Sequence, residues 1–170
     1  NSNIQVNVDI YGDNTIMRIK ESAFINLAKY FHKKKGRHKM RVQYDVMAKE
    51  FERVLAKKGF SPEDAKNAAV IFAQNSLAGV YSHGLNRFPR VVSYLEKGEI
   101  DPNARATCEM KMGAMERWDG HRGFGPLNAK RAMDRACELA KEYGIGCVAL
   151  GNNNHWMRGG TYGLYAARKG

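Results

Sequence analysis

The sequence is poor in residues that staple or anchor a chain. It has three cysteines in 170 residues, Cys108, Cys137 and Cys147, an odd number with no CxxC pair. That pattern excludes a disulfide framework and offers no zinc-site spacing. The expectation is three free thiols in a reducing cytoplasm, buried as small apolar side chains. No apolar run approaches the ~18–20 residues that span a bilayer, and no segment has the order of a secretory signal, so no membrane partner is expected. There is no Walker A phosphate loop, no HExxH and no GxSxG. The histidines are too scattered to spell a metal set, and no metal is expected. The first residue is Asn1 rather than Met, so the natural start is expected to lie elsewhere.

Acidic residues are also few, 17 against 28 Lys and Arg, for a net charge of +11. Such an excess raises the question of nucleic acid. The charge is uneven, however. Residues 1–39 carry eight Lys/Arg against Asp9, Asp13 and Glu21, and they end in Lys33-Lys34-Lys35-Gly36-Arg37-His38-Lys39. From Met40 onward the two signs interleave. With no recognition motif, the basic run reads as a solvated tail, and a nucleic-acid-binding module is the weakest reading.

What the sequence does contain is the material of a globular domain: 44% hydrophobic and 26% charged residues. Residues 1–39 are weakly patterned, with one short amphipathic helix expected between Ile16 and Phe31. A boundary falls at Met40, where strong patterning begins. Tyr44, Met47, Ala48, Phe51, Val54 and Leu55 recur at helical spacing, and Gly59 can end that helix. Ser61-Pro62-Glu63-Asp64 has the cap, the proline and the acids that open a second helix, running to about Gly79. A third carries Phe88, Val91, Val92 and Leu95. Pro102 to Gly113 reads as a connection with an edge strand, and Ala114 to Trp118 as a strand. Pro126 to Tyr143 is a long helix buried through Ala129, Met133, Ala136, Leu139 and Ala140. Ile145 to Leu150 has the short apolar character of a strand covered on both faces. Thr161 to Arg168 is the next helix. The order predicts an α/β fold with a helical N-terminal layer.

Three stretches hold chemistry-bearing residues. In Val80-Tyr81-Ser82-His83-Gly84-Leu85-Asn86-Arg87-Phe88-Pro89-Arg90, an imidazole that exchanges protons near neutral pH stands beside guanidiniums that can grip a carboxylate. A proton donor next to a carboxylate clamp is what reduction of a 2-oxoacid requires. The alternative is that Ser82 and His83 cap helix ends while the arginines are solvated. In Asn152-Asn153-Asn154-His155-Trp156-Met157-Arg158-Gly159-Gly160-Thr161-Tyr162-Gly163, a loop follows a strand, where open α/β sheets collect ligands. There Gly159 and Gly160 permit close approach, and the helix start at Thr161 offers amides to an anion. The alternative is a plain turn with Trp156 and Met157 packed beneath it. In Trp118 to Pro126, Gly120, Gly123 and Gly125 suggest a cofactor loop without the GxGxxG spacing. They read mainly as backbone turns, with Asp119 or His121 a supporting candidate.

The segments YSHGLNRFPR, GAMERWDGHRGFGPLNAKRAM and GIGCVALGNNNHWMRGGTYGLYAARKG resemble the malate/L-lactate dehydrogenase superfamily, which is distinct from the Rossmann-fold lactate dehydrogenases. The resemblance runs from Met40 to Gly170. The NHWMRGG string is similar to the branch that reduces 2,3-diketo-L-gulonate. The resemblance implies a partial α/β/α domain of this type, not a classical Rossmann domain. It implies reduction of a 2-oxoacid with NADH, or NADPH, and in that branch the product is 3-keto-L-gulonate. By position, His83 would be the proton donor, Arg87 would bind the substrate carboxylate, Ser82 would hydrogen-bond near His83, and His155 would be a second histidine lining the site. Cofactor-binding residues are expected mostly beyond Gly170, with Gly159, Gly160 and Thr161 as candidates here. The family pattern also implies a cytoplasmic homodimer. Its members are considerably longer, and residues 1–39 have no counterpart in them; translation from upstream of a true start at Met40 is one explanation. The competing reading is an inactive remnant that at most associates with a full-length subunit, and the isolated chain is expected to bind NADH weakly or not at all.

Overall fold

The computed structural model describes residues 5–8 and 40–170. The helix expected between Ile16 and Phe31 and the basic run before Met40 lie outside those residues. A short strand, β1 (Gln5–Val8), pairs antiparallel with β2 (Met40–Gln43), Gln5 opposite Gln43 and Val8 opposite Met40. No strand is expected at residues 5–8 from the sequence, so this pairing is an addition.

Three helices follow: α1 (Tyr44–Lys57), α2 (Pro62–Leu77) and α3 (Phe88–Glu96). In α1 the helical stripe buries Met47, Phe51, Val54 and Leu55. Helix α2 opens as its sequence dictates, with the Ser61 hydroxyl accepting from the Asp64 amide at 3.2 Å and Pro62 in the first turn. The helices lock through phenylalanines. Phe88 of α3 has its ring centre 4.3 Å from that of Phe51 and 5.1 Å from that of Phe72 on α2. Phe124, just before the long helix, meets Phe60 edge-on at 5.2 Å. Aromatic pairs of this kind contribute ~0.5–1.5 kcal/mol each beyond the area they bury.

The second layer is a sheet in the order β3 (Thr107–Met112), β4 (Met115–Asp119), β5 (Cys147–Gly151). Strands β3 and β4 form an antiparallel hairpin, and β4 runs parallel to β5. The crossover between β4 and β5 is α4 (Gly125–Tyr143), and the described chain ends in α5 (Gly159–Ala167). Glu116, Trp118, Val148 and Leu150 turn toward the covered face. Glu116 is buried there, its carboxylate held by Arg135 of α4 at 2.9 Å and by the Trp118 indole at 2.8 Å. The Arg135 guanidinium, chiefly by direct hydrogen bonding, keeps the Glu116 carboxyl below its ordinary range.

Two expectations need correction. The segment Ile145 to Leu150 is not covered on both faces: Ile145 is 69% exposed, and β5 alternates between exposed and half-buried positions. Helix α4 covers one face only, and Met112 on β3 and Met115 on β4 lie open. The cysteines are not core residues either. Cys108 and Cys147 are exposed on the strands and Cys137 is half-buried, because their alternating positions fall on the open side of the sheet or the rim of α4. No helix of the described residues is long and apolar enough to cross a membrane.

Candidate active site

His83 lies in a single 3-10 turn, Tyr81–His83, between α2 and α3. Two consecutive buried side chains at the end of α2 hold that turn. The Asn75 amide nitrogen donates to the His83 carbonyl at 3.0 Å. The Ser76 hydroxyl accepts from the Leu85 amide at 2.9 Å and donates to the Phe72 carbonyl at 2.9 Å. Between them passes Gly84, so close that a Cβ there would lie 2.3 Å from Ser76 Oγ and 2.7 Å from Ser76 N. Only a residue without a side chain fits. The Ser82 hydroxyl sits 3.0 Å from His83 Nδ1, close enough to orient the ring. Arg87 immediately precedes the buried Phe88, which fixes where its backbone enters α3. The cap positions of the flanking helices and of the 3-10 turn are Ala78, Val80, Gly84 and Arg87, so Ser82 and His83 do not cap helix ends.

His155 comes from the other layer, in the loop at the carboxyl end of β5. Three asparagines tie this loop down. Asn152 donates to Asp119 at 2.8 Å, Asn153 accepts from the buried Asn128 at 3.1 Å, and Asn154 donates to the Arg122 carbonyl at 2.6 Å. Met157 takes a left-handed conformation, φ 67°, with its side chain buried, and its amide donates to His155 Nδ1 at 2.9 Å. With Nδ1 accepting, neutral His155 carries its proton on Nε2.

These two loops bring the imidazoles together. The ring centres of His83 and His155 are 5.6 Å apart, with planes inclined by 32°. His155 is exposed overall, yet partial desolvation of its ring, first, and then the charges of Arg87 and His83 hold it below the ordinary histidine range. Arg87 thus belongs to the same cluster. Among the described residues no carboxylate pairs with its guanidinium, which is also true of Arg90, Arg122, Arg158 and Arg168, but of these only the Arg87 charge reaches His155. An unneutralised, half-buried guanidinium beside two imidazoles is suited to an anionic ligand carrying a group that takes up a proton.

Other sequence candidates fall differently. Trp156 does not pack beneath its loop: it is 53% exposed and stacks on Tyr162 at 5.7 Å. The glycines of the 120–125 loop make room for the protein itself. A Cβ at Gly120 would strike Asn153, one at Gly123 the Ala104 carbonyl, and one at Gly125 the carbonyls of Asn154 and His155. Asp119 accepts from the His121 amide and from Asn152, and His121 meets the Thr107 hydroxyl. Neither bonds to His83, Arg87 or His155. Asn75, Ser76 and Asn128 were not among the sequence candidates. Their one signal was a polar residue inside an apolar helical stripe, which marks a buried hydrogen-bonding site without saying for what. No group of three or more metal-ligating side chains occurs among the described residues.

For a nicotinamide cofactor, the described residues that fit are at the start of α5. The helix begins at Gly159, not Thr161. The Thr161 amide already donates to the Arg158 carbonyl at 3.1 Å and its hydroxyl to Asn75 Oδ1 at 3.0 Å, so Thr161 has no amide to offer an anion. Gly159 and Gly160, whose amides precede any intrahelical acceptor, remain open, and a Cβ at Gly159 would meet nothing within 4 Å.

Comparison with known proteins identifies the family. The malate/L-lactate dehydrogenase family pattern matches residues 42–170. A 2,3-diketo-L-gulonate reductase from Pasteurella multocida (strain Pm70) is 52% identical over 131 residues, covering 77% of this chain and 40% of the relative. The chain therefore spans less than half the length of that relative. Among solved structures, malate dehydrogenase from Pyrococcus horikoshii OT3 superposes with a TM-score of 0.74 at 34% identity, over 76% of this chain and 37% of that one. Sulfolactate dehydrogenase from Methanocaldococcus jannaschii gives 0.74 at 35% identity, over 76% and 38%. The relatives are dehydrogenases and reductases, and the chain belongs to the malate/L-lactate dehydrogenase family.

Proposed function

We propose that this chain carries the proton-donating and carboxylate-binding half of an NAD(P)H-dependent 2-oxoacid reductase, and that its substrate is 2,3-diketo-L-gulonate, reduced to 3-keto-L-gulonate. The observation that carries the reading is Arg87, without a carboxylate partner among the described residues, beside the paired imidazoles of His83 and His155. The choice of substrate rests on the 52% identity to a 2,3-diketo-L-gulonate reductase.

In this reading the Arg87 guanidinium binds the substrate carboxylate through paired hydrogen bonds, which fixes the adjacent carbonyl. The nicotinamide, when bound, supplies a hydride to the carbonyl carbon. His83 gives its proton to the carbonyl oxygen as negative charge develops there, and the product is the hydroxy acid. Ser82 holds the His83 ring through Nδ1, which leaves Nε2 to face the substrate. His155, neutral at working pH, presents its Nε2 proton as a hydrogen-bond donor. Gly159 and Gly160 are the described residues assigned to the cofactor, and the rest of its site is placed outside them. The same proposal takes Met40 as the start of the family domain, residues 1–39 as an extension, and the working form as a cytoplasmic homodimer.

The test is consumption of NADH or NADPH by the purified full-length protein with 2,3-diketo-L-gulonate and a panel of simpler 2-oxoacids. Turnover that depends on His83 supports the reading. A folded protein that turns over none of them overturns it, and light scattering reads the dimer.

A further inference from the structure

We propose that Asn75 is a positioning residue whose side-chain amide sets the separation of the His83 and His155 imidazoles, by bonding the His83 turn on one side and the first turn of α5 on the other. The inference rests on the reading above, in which these two histidines serve one site.

Asn75 is 1% exposed, at the end of a helix otherwise buried among alanines and phenylalanines. Nothing about packing calls for a polar group there, and a buried polar group is retained only with its bonds made. Both ends of the amide are used, with opposite polarity. Its nitrogen donates to the His83 carbonyl at 3.0 Å, and its oxygen accepts from the Thr161 hydroxyl at 3.0 Å. An aspartate would set a second acceptor against the His83 carbonyl, and a leucine of similar shape would serve neither partner. Asn75 is hydrogen-bonded to both segments, to the His83 carbonyl in one and to the Thr161 hydroxyl in the other. The His155 loop feeds straight into α5, so the Thr161 bond draws that loop toward the His83 turn. Leaving either end of a buried amide unpaired is unfavourable, so each bond favours the other.

Substitutions at buried Asn75 risk losing the fold, so the decisive variants are at Thr161, which is half-buried on α5. Thr161→Val keeps the shape and removes the hydroxyl, and Thr161→Ser keeps the hydroxyl. The measurement is the titration of His155 by nitrogen-15 NMR in the full-length protein without nucleotide. The groups whose charge reaches His155 are Arg87 and His83. In Thr161→Val the loops relax apart, and the His155 pKa rises toward that of an ordinary histidine; in Thr161→Ser it stays depressed. Turnover of the 2-oxoacid falls about tenfold in kcat in Thr161→Val with KM little changed, the size expected for one buried hydrogen bond, and Thr161→Ser restores it. An unmoved His155 in Thr161→Val overturns the positioning role. Because the titration needs neither substrate nor cofactor, a protein that shows the shift yet reduces no 2-oxoacid supports the Asn75 role and rejects the reductase reading alone.

Discussion

The imidazoles of His83 and His155 face each other across 5.6 Å although one sits at the end of a helical layer and the other at the end of a sheet. Each has its Nδ1 committed on its own loop, to the Ser82 hydroxyl and to the Met157 amide. The groups left to act between them are the two Nε2 atoms, with Arg87 alongside.

His83→Ala removes the proposed proton donor. Its kcat/KM for a 2-oxoacid falls about 10²–10⁴-fold, the usual worth of a general acid, while NADH affinity is unchanged. Steady-state kinetics and a fluorescence titration of NADH check both halves. Retained turnover transfers the role to His155.

Arg87→Lys keeps the charge but loses the fork. KM for the oxoacid rises about tenfold or more because one of two parallel hydrogen bonds to the carboxylate is lost. A substrate analogue with an amide in place of the carboxylate shows no such difference between variant and parent.

Folding stability depends on His155 with a definite sign. Its folded pKa lies below the ordinary histidine value of about 6.5, so as pH falls below that value the unfolded chain takes up a proton that the folded chain does not. Stability is therefore lost as pH drops through about 6.5, and the loss stops once His155 itself protonates in the folded state. Thermal unfolding of His155→Gln shows a flatter dependence across that window than the parent. An equally steep dependence in the variant assigns the loss to another group.

Gly84→Ala forces a Cβ to 2.3 Å from Ser76 Oγ and 2.7 Å from Ser76 N. The expected cost is ~1–3 kcal/mol of stability, as for other overpacked sites, read as a lower urea midpoint. Adding Ser76→Gly does not rescue it, because the change removes the hydroxyl that holds the Leu85 amide and leaves the contact with the backbone nitrogen.

The helical layer was legible because its signals are local. The stripe of Met47, Phe51, Val54 and Leu55 and the Ser61-Pro62 start need no knowledge of the rest of the chain. His83, Arg87 and His155 were legible as chemistry and as a family resemblance, but their meeting depends on how two layers dock. The hubs of that docking were hidden for the same reason. Asn75 pairs with Thr161, and Asp64 with Arg131 at 2.7 Å, across long stretches of chain that no periodicity encodes. The covering of β5 was misread because an apolar run such as Val148-Ala149-Leu150 does not say whether a second layer exists to meet it. The thiols were misread because small size was taken for burial.

The buried Glu116 also acts as a key for strand register. Side chains along β4 alternate between the covered and the open face, so a slip of one residue would carry the Glu116 carboxylate to the open side and turn a methionine or arginine toward Arg135. The slipped sheet would lose its buried anion and leave the half-buried Arg135 guanidinium with Glu138 alone. In a hairpin whose open face carries Met112 and Met115, and so has little apolar contrast to choose between registers, the Glu116–Arg135 pair makes the correct alignment the one that closes electrostatically. That alignment sets where β5 ends, and through it where His155 is delivered.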